Sequence, residues 1–264
     1  MNSHEIDFEL FGNNLQCIEI ELDPNETVIA EAGSMMMMNQ SIEMNTILGD
    51  GSNQDESVLG QVFSASKRVL TVESLFTTTY TQRGGSKAKG TFAALCPGKI
   101  IPLNLLAFGG KIICQKEAFL CAAKGVSVSI EFQRKLGVVF FGGEGFIMQK
   151  LEGDGLAFLH GGGTVVKRCL THGEVLNVDT GCLVALSSSV DYDIRLQKGI
   201  KNSLFGGEGL FIATLQGPGD VWIQSMPFSR LADRIYANMP RTGRKRTDEG
   251  SILGRIGSLL DDDK

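Results

Sequence analysis

One six-residue pattern occurs twice, as Phe141-Gly-Gly-Glu-Gly-Phe146 and Phe205-Gly-Gly-Glu-Gly-Leu210, each followed by an apolar run, a second glycine cluster and another apolar run. The two copies lie 206 − 142 = 64 residues apart. The same spacing, without a gap, pairs Val126-Ser-Val-Ser-Ile130 with Val190-Asp-Tyr-Asp-Ile194, Leu120 with Val184, Ile112 with Leu176 and Leu95 with Leu159. Short glycine motifs recur by chance, but apolar positions matched over so long a register mark duplicated architecture.

A third, more worn copy precedes these two. Glu73-Ser-Leu-Phe76 reads like Glu208-Gly-Leu-Phe211, and Ser34-Met-Met-Met37 takes the place of Ser189-Val-Asp-Tyr192. From Met36 to Glu73 is 37 positions, against 18 from Val126 to Glu144, so the first copy carries 37 − 18 = 19 extra residues. The polar stretch Gly49-Asp-Gly-Ser-Asn-Gln-Asp-Glu-Ser57 is the expected insertion.

The runs between the glycines are short and alternate with period two, as in Ile6/Phe8/Leu10 and Ile18/Ile20/Leu22, with turn chemistry at Asp23-Pro-Asn-Glu26, Gly84-Gly85, Pro97-Gly98 and Gly109-Gly110. That spacing suits a sandwich or barrel, not βαβ units. The expectation is an all-β domain over 1–226, made of three similar β units at approximately 1–90, 91–155 and 156–226 around a pseudo-threefold axis. A short C-terminal helix is expected over 227–240, opening after Pro227, with Phe228, Leu231 and Ile235 on one face and Pro240 stopping it. Residues 241–264 read as a flexible tail. Its Arg241, Arg244, Lys245 and Arg246, followed by an apolar face of Ile252, Leu253, Ile256, Leu259 and Leu260, could contact a membrane surface or a protein weakly.

Composition removes several classes. With 264 residues, 42% apolar and 21% charged, the chain can bury a substantial core, and its apolar runs fall short of a spanning helix. The N-terminal stretch Met1 to Leu10 is acidic where a signal or transit peptide would be basic, so a cytoplasmic location is expected. A net charge of −5 argues against nucleic acid as a partner. The six cysteines, Cys17, Cys96, Cys114, Cys121, Cys169 and Cys182, form no Cys-x-x-Cys pair and are expected to be free buried thiols. The run Met35 to Met38 reads as a core or interface strand.

Each motif that suggests chemistry has a structural reading beside it. Glycines of the Gly-Gly-Glu-Gly turns permit tight bends, and their carboxylates can accept turn amides. The functional reading sets Glu144 and Glu208, with Glu73, as acid/base groups or metal ligands. His160-Gly-Gly-Gly163 resembles an esterase oxyanion loop, yet no Gly-x-Ser-x-Gly elbow accompanies it, and a hairpin turn is expected there. The three histidines, His4, His160 and His172, have no zinc-site spacing. No catalytic, cofactor-binding or metal-binding residue is assigned, and no cofactor.

Together, Glu31-Ala-Gly-Ser-Met35, Lys67-Arg-Val-Leu-Thr-Val-Glu-Ser-Leu-Phe76, Pro97-Gly-Lys-Ile-Ile-Pro-Leu103, the two Phe-Gly-Gly-Glu-Gly motifs, Val178-Asp-Thr-Gly181 and Gly217-Pro-Gly-Asp-Val221 resemble the altered-inheritance-of-mitochondria (Aim twenty-four) family over roughly residues 6–226. The resemblance implies three β units akin to the subunit of the tryptophan RNA-binding attenuator protein, with trimeric assembly. It implies no reaction and supplies no catalytic residues. Fungal mitochondrial members associate with the inner membrane; this chain departs from them in its acidic N-terminus, and from many relatives in carrying Val72 before the glutamate. The resulting expectation is a non-enzymatic cytoplasmic assembly or scaffold protein that forms a homotrimer. The alternative is a small-molecule-binding β module, and a hydrolase stands third.

Overall fold

The structure, a computed structural model, describes residues 3–48, 76–94, 96–134, 146–196 and 211–239. Among them the chain is mostly β, with one short C-terminal helix. The first strands are β1 (Asp7–Phe11), β2 (Cys17–Leu22), β3 (Thr27–Glu31), β4 (Met35–Met38), β5 (Ile42–Leu48), β6 (Phe76–Gln82) and β7 (Ala88–Ala93). There follow β8 (Gly98–Asn104), β9 (Lys111–Gln115), β10 (Phe119–Ala123), β11 (Ser127–Arg134), β12 (Phe146–Glu152) and β13 (Leu156–Gly162). The last are β14 (Val165–Leu170), β15 (Val175–Asp179), β16 (Leu183–Ser187), β17 (Asp191–Leu196), β18 (Phe211–Gln216) and β19 (Gly219–Gln224), before helix α1 (Phe228–Ala237).

These strands form four sheets, ordered β1-β2-β7-β4, β5-β6-β3-β10-β13-β8, β11-β12-β9-β16-β19-β14 and β15-β18-β17. Burial follows position in the sheet. β2 alternates because one face meets the core, with Ile18, Ile20 and Leu22 fully buried between half-exposed neighbours. β10 and β16 sit mid-sheet and are buried at every position, which is why Phe119 to Ala123 and Leu183 to Ser187 are near-continuous apolar runs.

The 64-residue echo reappears as hydrogen-bond register. Leu151 faces Ile112 in the β12·β9 pair, and Leu215 faces Leu176 in the β18·β15 pair. Phe119 faces Leu159 and the register then shifts so that Cys121 faces Phe158; Leu183 faces Ile223 and the same shift brings Ala185 opposite Trp222. Short 3-10 turns, Lys116–Ala118 and Thr180–Cys182, lie at the same offset.

The N-terminal strands correct one sequence expectation. Met35 faces Phe92 and Met37 faces Thr91, with the shift at the same place, so β4 pairs as β10 and β16 do. Ser34–Met37 therefore does not take the place of Ser189–Tyr192, which leads into β17. An apolar tetrapeptide carries no register of its own; the backbone ladder decides it. The extra length lies between β5 and β6, where Leu48 to Phe76 spans 76 − 48 = 28 positions against 146 − 134 = 12 between β11 and β12. Residues 49–57 and Val69–Glu73 lie outside the described residues, as do both Phe-Gly-Gly-Glu-Gly motifs up to Gly145 and Leu210 and the tail 241–264.

Three apolar clusters fill the body, and each draws on strands of more than one sheet. One gathers Ile29, Leu103, Leu151, Leu159 and Trp222; a second centres on Ile18, Ile20, Phe92 and Phe158; the third on Phe146, Met148, Leu183 and Leu215. The chain divides into two units, Met1–Arg230 and Leu231–Lys264. Helix α1 begins after Pro227 as the pattern suggests and ends at Ala237, before Pro240. Among the described residues no helix is long and apolar enough to cross a membrane.

Candidate functional site

Among the described residues of the first unit, two hollows stand out. The larger, about 530 Å³, lies between the Asn39–Ser41 and Ser86–Lys87 turns. Those residues are exposed, and no group of complementary chemistry converges there. The smaller, about 280 Å³, is the better candidate, because it has an apolar floor beneath a few convergent polar groups.

Strand ends position its walls. Glu31 closes β3, Gln115 closes β9, His160 stands near the end of β13 and Gln224 closes β19, while Phe119 and Leu120 enter from β10 and Phe228 from the start of α1. His160 and Gln224 are 224 − 160 = 64 residues apart, so the spacing seen in sequence places both on the same cavity.

Their surroundings differ. Gln224 is pinned: its Oε1 accepts the Gly162 amide at 2.7 Å and its Nε2 donates to the Gly181 carbonyl at 2.7 Å. His160 is held loosely, with Nδ1 3.8 Å from Cys96 Sγ and a buried Nε2 that has no partner among the described residues. Burial pushes its pKa below the ordinary value and outweighs a hydrogen bond at Cys96, so the ring is neutral at physiological pH. Burial likewise raises the Glu31 carboxyl, an effect only partly offset by the nearby Lys116.

The chemistry this set can perform is narrow. A Cys-His pair becomes a nucleophile when a cation stabilises the thiolate. Here burial and the Glu117 carboxylate both push the Cys96 thiol upward, and His160 carries no charge to oppose them. The oxyanion reading of His160-Gly-Gly-Gly163 fails on geometry. His160, Gly161 and Gly162 are strand residues of β13 paired with Ile100, Lys99 and Gly98, and do not form the expected hairpin turn. The Gly162 and Gly163 amides are already spent on Gln224 Oε1 and the Pro97 carbonyl. A Cβ on Gly98 would stand 2.0 Å from the Gly161 carbonyl oxygen, so close approach, not anion binding, requires the glycine.

Of the other sequence candidates, Glu73, Glu144 and Glu208 lie outside the described residues. His4 serves the fold, its Nδ1 accepting the Thr27 amide at 2.9 Å. His172 sits in an exposed turn. No cluster of metal-ligating side chains occurs among the described residues. All six cysteines are free; Cys114 and Cys121 are buried as expected, but Cys169 is exposed, because it lies on the edge strand β14. Sequence reasoning missed Glu31, Gln115 and Gln224. Only the last had a signal, its 64-residue offset from His160.

Comparison with known proteins follows the same division between clear fold and unassigned chemistry. An uncharacterised protein of Streptococcus pyogenes serotype M6 is 30% identical over 227 residues, covering 84% of this chain and 86% of its own. The crystal structure of a Streptococcus pyogenes protein superposes with a TM-score of 0.69 at 24% identity, covering 89% of this chain and all of the other, and it speaks for the fold alone. The family described as mitochondrial biogenesis AIM24 matches residues 8–226, nearly the whole β body; the chain belongs to that family.

Proposed function

We propose that the chain is a non-enzymatic assembly protein of the cytoplasm that associates with copies of itself, in the form of a homotrimer. The observation that carries this reading is an uncovered apolar strand: Met36, Met37 and Met38 of β4 are 58%, 52% and 36% exposed on the rim of the first sheet. Methionines suit an adaptable contact surface, and apolar surface of this kind marks an interaction site. The reading takes the body as three related β units, supported by the shared registers of β9·β12 with β15·β18 and of the pairs β4·β7, β10·β13 and β16·β19. The likeness to the attenuator subunit belongs to the same proposal. Native mass spectrometry at micromolar concentration tests it. A species of 3 × 28.5 = 85.5 kDa is expected, and a 28.5 kDa monomer alone would overturn it.

A second reading has an observation of its own. The 280 Å³ cavity, with an unpartnered buried imidazole nitrogen and a half-buried carboxyl, fits a small ligand that donates hydrogen bonds over an apolar floor. The same spectrum reads it out: reproducible extra mass on each subunit, lost in His160→Ala, supports a ligand, and bare subunits count against one.

A further inference from the structure

Two of the junctions between strand pairs are closed within the chain, and they follow one rule. In β3·β10, Cys121 faces Ala30, Ala122 faces Ile29 and Ala123 faces Val28. In β9·β16, Ala185 faces Cys114, Leu186 faces Ile113 and Ser187 faces Ile112. The β16 residues stand 64 positions beyond their equivalents in β10, and the β9 residues 84 beyond their equivalents in β3. A third junction of the same kind would join β15, the counterpart of β9, to β4, the counterpart of β10. Among the described strands β15 pairs only with β18, and β4 only with β7.

The edges themselves give a second, independent sign. Exposed strand edges are normally protected by charge or proline against pairing with other chains. Of the eight edge strands in the described sheets, β1 carries Asp7 and Glu9, β8 carries Lys99 and Pro102, and β14 carries Lys167 and Arg168. β17 carries Asp191 and Asp193, while β5 and β11 carry Glu43 and Glu131. β4 is four methionines with neither charge nor proline. β15 is Val-Leu-Asn-Val-Asp, and its single charge, Asp179, is bound at 2.7 Å by Arg230. β4 is thus the one described edge with neither charge nor proline, and it is an edge that the register leaves without its partner.

We infer that β15 of one copy adds to β4 of a second copy as an antiparallel strand, which rests on the assembly reading and names its interface. Equivalence with the closed junctions sets the register. Subtracting 122 − 38 = 84 from the β10 positions and adding 64 to the β9 positions places Met37 opposite Val178, Met38 opposite Asn177 and Asn39 opposite Leu176. The backbone groups of both edges are then satisfied, and the exposed methionines and Val175 leave water together. Because the two surfaces differ, the contact is head-to-tail and closes only as a ring of copies.

Disulfide trapping between copies tests the register. In the full chain carrying Cys169→Ser to remove the exposed thiol, one protein bears Met38→Cys and another Asn177→Cys. Directly opposed residues of an antiparallel pair lie within disulfide reach, whereas a residue two positions along does not. Mixing the two under mild oxidation should yield about tenfold more covalent dimer than mixing Met38→Cys with Val175→Cys. A native spectrum of the same proteins separates the possible failures. An oligomer without in-register trapping overturns this junction and leaves assembly standing. A monomer overturns both. A disulfide that forms only within a chain carrying both Met38→Cys and Asn177→Cys overturns the second copy as the occupant.

Discussion

β10 and β4 hold the same place against their antiparallel partners β13 and β7, with the same register shift, yet β10 is buried at all five positions and β4 at none. Apolar character does not separate them, since Phe-Leu-Cys-Ala-Ala and four methionines are both suited to a core. The difference is the second neighbour. β10 has β3 on its far side, and β4 has no described strand there. A strand's burial is therefore a property of the sheet around it, and the same apolar content serves as core in one place and as rim in the other.

The largest effect should come from truncating a large side chain beside the shift in each strand pair. Phe158, fully buried opposite Cys121, should cost about 3–5 kcal/mol as Phe158→Ala, measured by urea denaturation. Met37→Ala, at the exposed β4 position equivalent to Cys121, should change monomer stability by less than about 0.5 kcal/mol. Similar costs would mean that β4 is covered in solution and would break the comparison.

Beyond the shift, β13 continues through His160 to Gly162, while β7 stops at Ala93. The continuation is crowded: a Cβ on Gly162 would stand 2.0 Å from the Met226 carbonyl oxygen, as one on Gly98 would from that of Gly161. Gly98→Ala and Gly162→Ala should each lower stability by about 1–3 kcal/mol, read from the same denaturation curves. Unchanged midpoints would show that the ends of β8 and β13 can separate without loss.

The smallest effect is a pH dependence that β7 lacks, since its residue equivalent to His160 is Ala93. The folded state holds His160 neutral with a pKa below 6.5, so the unfolded chain binds the proton more readily. The stability contributed by the neutral ring is fully present above 6.5 and is lost as pH falls from there toward the folded value. Melting temperatures recorded from about pH 8 to about pH 5 should fall more steeply for the wild type than for His160→Gln. Parallel curves would place His160 in a more hydrated setting. His4, whose pKa burial also lowers, is common to both proteins and cancels in the difference.

Several elements were legible in the residues themselves. The alternation of Ile18, Ile20 and Leu22 marks a half-buried strand, and Val126–Ile130 against Val190–Ile194 marks duplicated strands, because both signals are periodicities that side chains impose locally. Ser34–Met37 was misplaced because a uniform apolar run fits any register. The cavity was illegible for a related reason. Glu31, Gln115, His160 and Gln224 come from four strand ends far apart in the chain, and no local pattern announces that those ends converge.

By itself, the sequence determined what short-range chemistry dictates: strands of period two, turns at glycine and proline, a helix after Pro227 and a 64-residue echo that survives as hydrogen-bond register. Only the tertiary structure decided which edges found partners, which polar groups met at the cavity, and that His160-Gly-Gly is a strand end and not a turn. Those outcomes depend on contacts between residues distant in the chain. The cost or gain of such a contact is set by desolvation and close packing at the point of meeting, which no single stretch of sequence contains.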